Sequence, residues 1–174
     1  ALLIAGGNVV SDGRTYAASV LVENGSISAI LPPDAGEVRH TVPSVELTGG
    51  YVAPGYIDLL LHGLYGIDCL DGQYDELSVK LLPHGTTGFL AALRSSPLEK
   101  IEDALWRVGE AMQIAEPAGA RVLGAHIEGI YYAPEWCGAQ AAETLRKADV
   151  EEALRLTQVG GGALKAMSVS PELP

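Results

Sequence analysis

His62 and, farther along the chain, the pair His126 and Glu128 are the residues whose types and spacing could do chemistry. Side chains at i and i+2 of a β-strand point the same way, so two histidines spaced like that would grip one cation. In PGYIDLLLHGLYGID, residues 54–68, the residue two places before His62 is Leu60. A two-histidine chelate therefore cannot form there. In ARVLGAHIEG, His126 and Glu128 stand in the same i, i+2 relation and should share a face. A glutamate with imidazoles converging on an open coordination position suits Zn2+ or Fe2+. Glu128 with His62 still falls below the three protein ligands a catalytic zinc usually has. His84 precedes Gly85 at a helix end, where an imidazolium favours the helix dipole, and His40 sits in a loop.

These groups must be carried by strands. From residue 51 onward the predicted strands are YVAPGYIDLLLHG, then TTGFLAAL from Thr86, ARVLGAHIEG from Ala120 and ALKAMSVS from Ala163. Between them the spacing predicts helices. One covers roughly Asp75 to Leu82. A second has Ser96 as N-cap, Pro97 as first helical residue and Glu99 completing a capping box, with the stripe Leu98, Ile101, Leu105, Val108, Met112. A third starts at Asp149, with Glu152 three positions on, and carries Val150, Ala153, Leu154 and Thr157 on one side before Gly160-Gly161-Gly162. Near-continuous apolar strands alternating with helices imply parallel pairing. Before residue 51 the pattern is strand-like, and Asn24-Gly25 between apolar runs predicts a hairpin turn. The expected fold is thus α/β: a small β-sandwich portion over 1–50, then over 51–174 the first four βα units of a (β/α)8 TIM-type barrel. A closed barrel alone takes about 250 residues.

A formal net charge of −11 argues against nucleic acid or an anionic membrane surface as partner. The opening ALLIAGGNVV is short, lacks a basic flank and is interrupted by glycines and Asn8, which fits a strand rather than a signal peptide or membrane span. It carries no initiator Met, so the expectation is a start lying upstream or processed. Cys69 and Cys137 lack CxxC spacing, which supports neither a disulfide framework nor a thiolate metal site; a reducing cytoplasm is the expected setting.

The segments GGYVAPGYIDLLLHGLYGIDCLDG, LLPHGTTGFLAALRSSPLEKI, VLGAHIEGIYYAPEWCGAQ and LKAMSVSPELP together resemble the N-acetylglucosamine-6-phosphate deacetylase family of the amidohydrolase superfamily, in the family's order and in its first half only. The resemblance implies metal-dependent hydrolysis of an N-acetyl amide, giving glucosamine 6-phosphate and acetate, with a divalent metal, Zn or Fe, as cofactor. The family motif HLEGPF is matched as HIEGIY, which places Glu128 on the family's metal-ligand glutamate, with His62 as the other candidate ligand. Ala139 and Gln140 fall where the family contacts the sugar. His126 matches a histidine not generally counted as a ligand, which implies a supporting or packing role, and Asp58 looks structural, buried beneath the site. The family's catalytic aspartate and later histidines lie past the position of Pro174, so no catalytic residue is assigned here and the 174 residues are expected to be a truncated, inactive half.

Departures bear on substrate. Leu60 fits a one-metal member of the family. Ile130, Tyr131, Trp136, Cys137 and Gln140 replace the family's usual residues, so chemistry specific to histidine at position 140 is lost while an amide contact to a hydroxyl remains open. Arg94 is the cation best placed for a phosphate, although a surface role is the simpler reading. The expected partner is a small amino-sugar phosphate. Two other readings stand beside this one: a non-catalytic half-barrel that self-associates as a homo-dimer through its unpaired edges, and another amidohydrolase such as a dihydroorotase-like enzyme, which Leu60 and the context of Lys165 disfavour.

Overall fold

The computed structural model describes residues 1–172. The chain divides into two compact units, Ala1–Pro54 and Gly55 onward.

The first unit is a mixed five-stranded sheet of β1 (Leu2–Ser11), β2 (Arg14–Glu23), β3 (Ser26–Leu31), β4 (Ser44–Glu46) and β5 (Tyr51–Val52). Asn24 and Gly25, at φ 50° and 74°, make the expected tight turn between β2 and β3. Asp12 and Gly13, at 50° and 70°, turn β1 into β2 in the same manner; both positions need positive φ, and Asp and Gly tolerate it best. Leu3 and Ala5 face one small core with Ala35, while Val9, Ala18 and Val20 face another. Tyr51 and Val52 pair with Asn8 and Val9 of β1. The expected continuous strand from residue 51 is therefore broken: Pro54 has no N–H to offer a ladder, and the next strand begins at Tyr56.

The second unit runs β6 (Tyr56–Leu61), a two-stranded ribbon of β7 (Gly63–Leu64) and β8 (Ile67–Asp68), α1 (Tyr74–Leu81), β9 (Thr86–Arg94), α2 (Leu98–Met112), β10 (Arg121–Tyr131), α3 (Val150–Gln158) and β11 (Leu164–Val169). The long strands form one sheet in the order β11-β10-β9-β6, every neighbouring pair parallel. This is the parallel half-barrel expected from the alternating pattern. Phe89 and Leu93 of β9, Ile127 of β10, Leu77 and Leu81 of α1, Ile101, Leu105 and Val108 of α2, and Leu156 of α3 join one core. Each fully buried side chain of this size contributes about 1.5–3 kcal/mol of transfer free energy. Gly109 of α2 meets Gly160 backbone to backbone: a Cβ on Gly109 would lie 2.2 Å from the Gly160 carbonyl oxygen.

Local signals held unevenly. Asp149 caps α3, its Oδ1 accepting the Glu152 N–H at 2.9 Å. The Ser96 capping box does not form: α2 begins at Leu98 behind Pro97 with no side-chain cap, and Ser96 is buried. On α3 the anchor is Leu156, whereas Val150 and Leu154 of the expected stripe stay exposed, because no element among the described residues covers that side of the helix.

Candidate active site at the strand ends

The parallel ladder sets the site. Glu128 lies opposite Arg94 at the end of β9 and opposite Ser168 near the end of β11, and His62 directly follows β6. These are the C-terminal ends of parallel strands, where barrels of this kind hold their chemistry. His62 Nε2 lies 3.1 Å from Glu128 Oε2, with both side chains partly exposed. Gln140, in the loop after β10, donates from Nε2 to the same Oε2 at 2.6 Å. The Gln140 Oε1 accepts the backbone N–H of Ser95 at 2.8 Å, and Ser95 Oγ accepts the N–H of Ala141 at 3.1 Å. Ser95 itself is buried. This two-way clasp ties the 132–146 loop to the end of β9. It also fixes the amide's orientation, since a backbone N–H can only donate. Ala139 is exposed beside it.

His126 is turned to other partners. Its Nδ1 is 3.1 Å from the carbonyl oxygen of Leu59 and its Nε2 is 2.8 Å from Ser168 Oγ. A carbonyl only accepts, so the proton sits on Nδ1, and in the neutral ring Nε2 accepts from the Ser168 hydroxyl. The ring thereby joins β6 to β11, two strands that are not neighbours in the sheet. Asp58, expected beneath the site, is half-buried and uses Oδ1 to accept the Leu60 N–H at 3.0 Å, a local turn contact.

Arg94 is already paired: its Nε and Nη2 donate to Asp68 Oδ2 at 3.2 and 2.9 Å. Burial acts to raise the Asp68 carboxyl, but the Leu70 N–H, Arg94 and Lys100 outweigh it and hold the group below the usual carboxylate range. Burial pushes the Cys69 thiol up to about 12, and its Sγ donates to the Leu61 carbonyl at 3.0 Å, so Cys69 is a packing group. Burial and then the Glu152 carboxylate raise the Tyr131 phenol, whose hydroxyl reaches Glu152 Oε1 at 2.9 Å and the Asp149 carbonyl at 3.2 Å. His84 pairs with the Tyr65 hydroxyl at 2.9 Å.

The donor set does not by itself fit a divalent metal. Among the described residues no three His, Cys, Asp or Glu side chains converge. The third group on Glu128 is an amide N–H, which offers a proton where a metal needs an electron pair. The sequence reading paired His62 with Glu128 as candidate metal ligands and set Gln140 apart as a sugar contact; the fold brings all three to one carboxylate oxygen. It missed Ser95 and Ser168; the only signal for Ser95 was its place just past a strand end.

A carboxylate, an imidazole and an amide thus meet at the strand ends of a parallel half-barrel. No protein-family model matches the sequence. The chain is 33% identical over 164 residues to the N-acetylglucosamine-6-phosphate deacetylase of Bacillus subtilis (strain 168), which covers 87% of this chain and 39% of that enzyme. It is 34% identical over 155 residues to the N-acetylgalactosamine-6-phosphate deacetylase of Escherichia coli O157:H7, with the same coverage of each. In solved structures it superimposes on the N-acetylglucosamine-6-phosphate deacetylases of Thermotoga maritima (TM-score 0.80, 24% identity, 98% of this chain and 43% of that one) and Pasteurella multocida (0.82, 24%, 99% and 45%). It also superimposes on a variant of the Mycobacterium smegmatis deacetylase solved with N-acetyl-D-glucosamine-6-phosphate (0.83, 21%, 99% and 44%). At these identities the structural likeness shows the fold. The chain is a homologue of the N-acetylglucosamine-6-phosphate deacetylase family, matching its N-terminal portion, and spans about 39% of the length of the first two relatives.

No helix among the described residues is long and apolar enough to cross a membrane.

Proposed function

We propose that this chain supplies the N-terminal wall of a deacetylase site for an N-acetylated hexosamine 6-phosphate, N-acetylglucosamine 6-phosphate in the first instance. The observation that carries this reading is the convergence of His62 and Gln140 on the Glu128 carboxylate at the strand ends. The overall step is hydrolysis: water adds to the acetamide carbonyl, the C–N bond breaks, and the amine leaves with a proton to give glucosamine 6-phosphate and acetate. Family members draw on a divalent metal, Zn or Fe in this proposal, with Glu128 and His62 as the ligands this chain would offer. Because those two do not complete a site, no step is routed through the metal. The chain's own residues orient: His62 and Gln140 fix the carboxylate. Gln140 also keeps one amide hydrogen and one carbonyl lone pair free for a sugar hydroxyl beside Ala139. Two free cysteines, one buried, accord with a reducing cytoplasmic setting.

The test is an NMR titration of the 174-residue chain with N-acetylglucosamine 6-phosphate, alongside an acetate-release assay. The expected result is shifts at His62, Glu128, Ala139 and Gln140, lost in Glu128→Ala, with no acetate from the chain alone. Shifts confined to other surfaces would overturn the reading. Acetate release in proportion to added metal would overturn the claim that these residues do not complete the site.

A second reading rests on the sheet edges. Tyr56, Ile57 and Leu59 of β6 are 72%, 59% and 62% exposed. At the other edge, Val150 and Leu154 of α3 line an apolar groove with Leu164 and Met167 of β11. A second copy would pair each β6 with its partner's β11 and cover both edges. Sedimentation should show a dimer that Leu59→Lys converts to a folded monomer; a monomeric wild type rejects this homo-dimer.

A further inference from the structure

We propose that Gln140 keeps this chain's own residues, taken alone, from gripping a divalent cation: held by Ser95, it sets an N–H against the Glu128 oxygen that faces His62, where a third donor could otherwise join them. The inference rests on the reading of Glu128 and His62 as the metal ligands this chain would offer and adds a residue that limits them. Glu128 Oε2 receives Gln140 Nε2–H at 2.6 Å and faces His62 Nε2 at 3.1 Å, so the oxygen nearest the imidazole is already engaged. The amide cannot turn its carbonyl toward the carboxylate without breaking the 2.8 Å bond from the Ser95 N–H and setting two lone-pair oxygens against each other. Ser95 is in turn held by Ala141. The lock therefore consists of Ser95, Gln140 and Ala141, with Ser95 acting through Gln140 as a positioning residue. An imidazole at position 140 would present an electron pair at the place the amide fills with a proton, raising the donors from two to the three typical of catalytic zinc.

The experiment measures Zn2+ affinity by competition with a chromophoric chelator for the wild-type chain, Gln140→His and Gln140→Ala, each shown to be folded by circular dichroism. Gln140→His should bind about tenfold or more tightly than the wild type, a step of the size seen when a site's donor environment is altered. Gln140→Ala, which frees the oxygen without adding a donor, should fall between the two. Either folded variant binding no more tightly than the wild type overturns the proposal, and Gln140→Ala keeps the test open if the histidine variant does not fold. The outcome is separable from the deacetylase reading: the ranking of metal affinities does not depend on sugar binding, and a sugar titration that fails leaves the ranking in place.

Discussion

Helices α2 and α3 flank the same parallel sheet and both carry apolar stripes, but they end in opposite environments. Ile101, Ala104, Leu105 and Val108 of α2 are fully buried, whereas α3 buries Leu156 and leaves Val150 and Leu154 74% and 61% exposed. Helix α2 lies in the middle of the unit, against β9 and β10, with α1 on one side and the turn at Val159–Gly161 on the other. Helix α3 packs beside β11, an edge strand with no further neighbour among the described residues. An apolar stripe yields stability only where a second element removes it from water, so the same kind of pattern serves as core in one helix and as open surface in the other.

That contrast predicts unequal responses to the same substitution. Leu105→Ala should cost about 3 kcal/mol or more in urea unfolding, since a fully buried leucine leaves a cavity. Leu154→Ala should cost under about 0.5 kcal/mol in the monomer. Equal losses at the two sites would mean that the α3 groove is covered in solution, and would favour the self-associated form.

A smaller effect is expected where α3 is tied to β10. Tyr131→Phe removes a hydroxyl shared between Glu152 and the Asp149 carbonyl and should cost about 1 kcal/mol. Its thermal unfolding should soften the α3 end before the α2 core; a loss spread evenly over both would remove the distinction between middle and edge.

The smallest effect concerns pH. The Asp68 carboxyl is held low when folded, so its contribution is present above its unfolded value, about 3.9, and is lost as pH falls through the lower folded value. Stability should therefore decline below about pH 4 partly through Asp68, with a shallower decline in Asp68→Asn. An unchanged acid profile in that variant would show that the Arg94 pair contributes nothing measurable, as exposed pairs often do.

Much of this was legible in the chain and some was not, for identifiable reasons. The turn at Asn24-Gly25, the α2 stripe and the Asp149 cap are local: each needs only residues within about a turn of one another. The break at Pro54 was readable too, but the apolar run around it hid the transfer of Tyr51 and Val52 to the first sheet. Ser96 had the right spacing for a cap and was claimed instead by burial at the strand end. Glu128, His62 and Gln140 stood out by type and resemblance, whereas Ser95 and Ser168 did not, because their roles arise from partners 45 and 42 residues away.

Composition and periodicity alone determined that this chain would alternate parallel strands with helices behind a β portion, since the burial demands of each element are written into its own spacing of apolar residues. Only the tertiary structure decided that the His62 imidazole, far back in the chain, and the Gln140 amide, 12 residues past Glu128, share one carboxylate oxygen, and that the amide presents its N–H to it. The ladder register brings the strand ends level, and a single backbone N–H at Ser95 selects the orientation of Gln140.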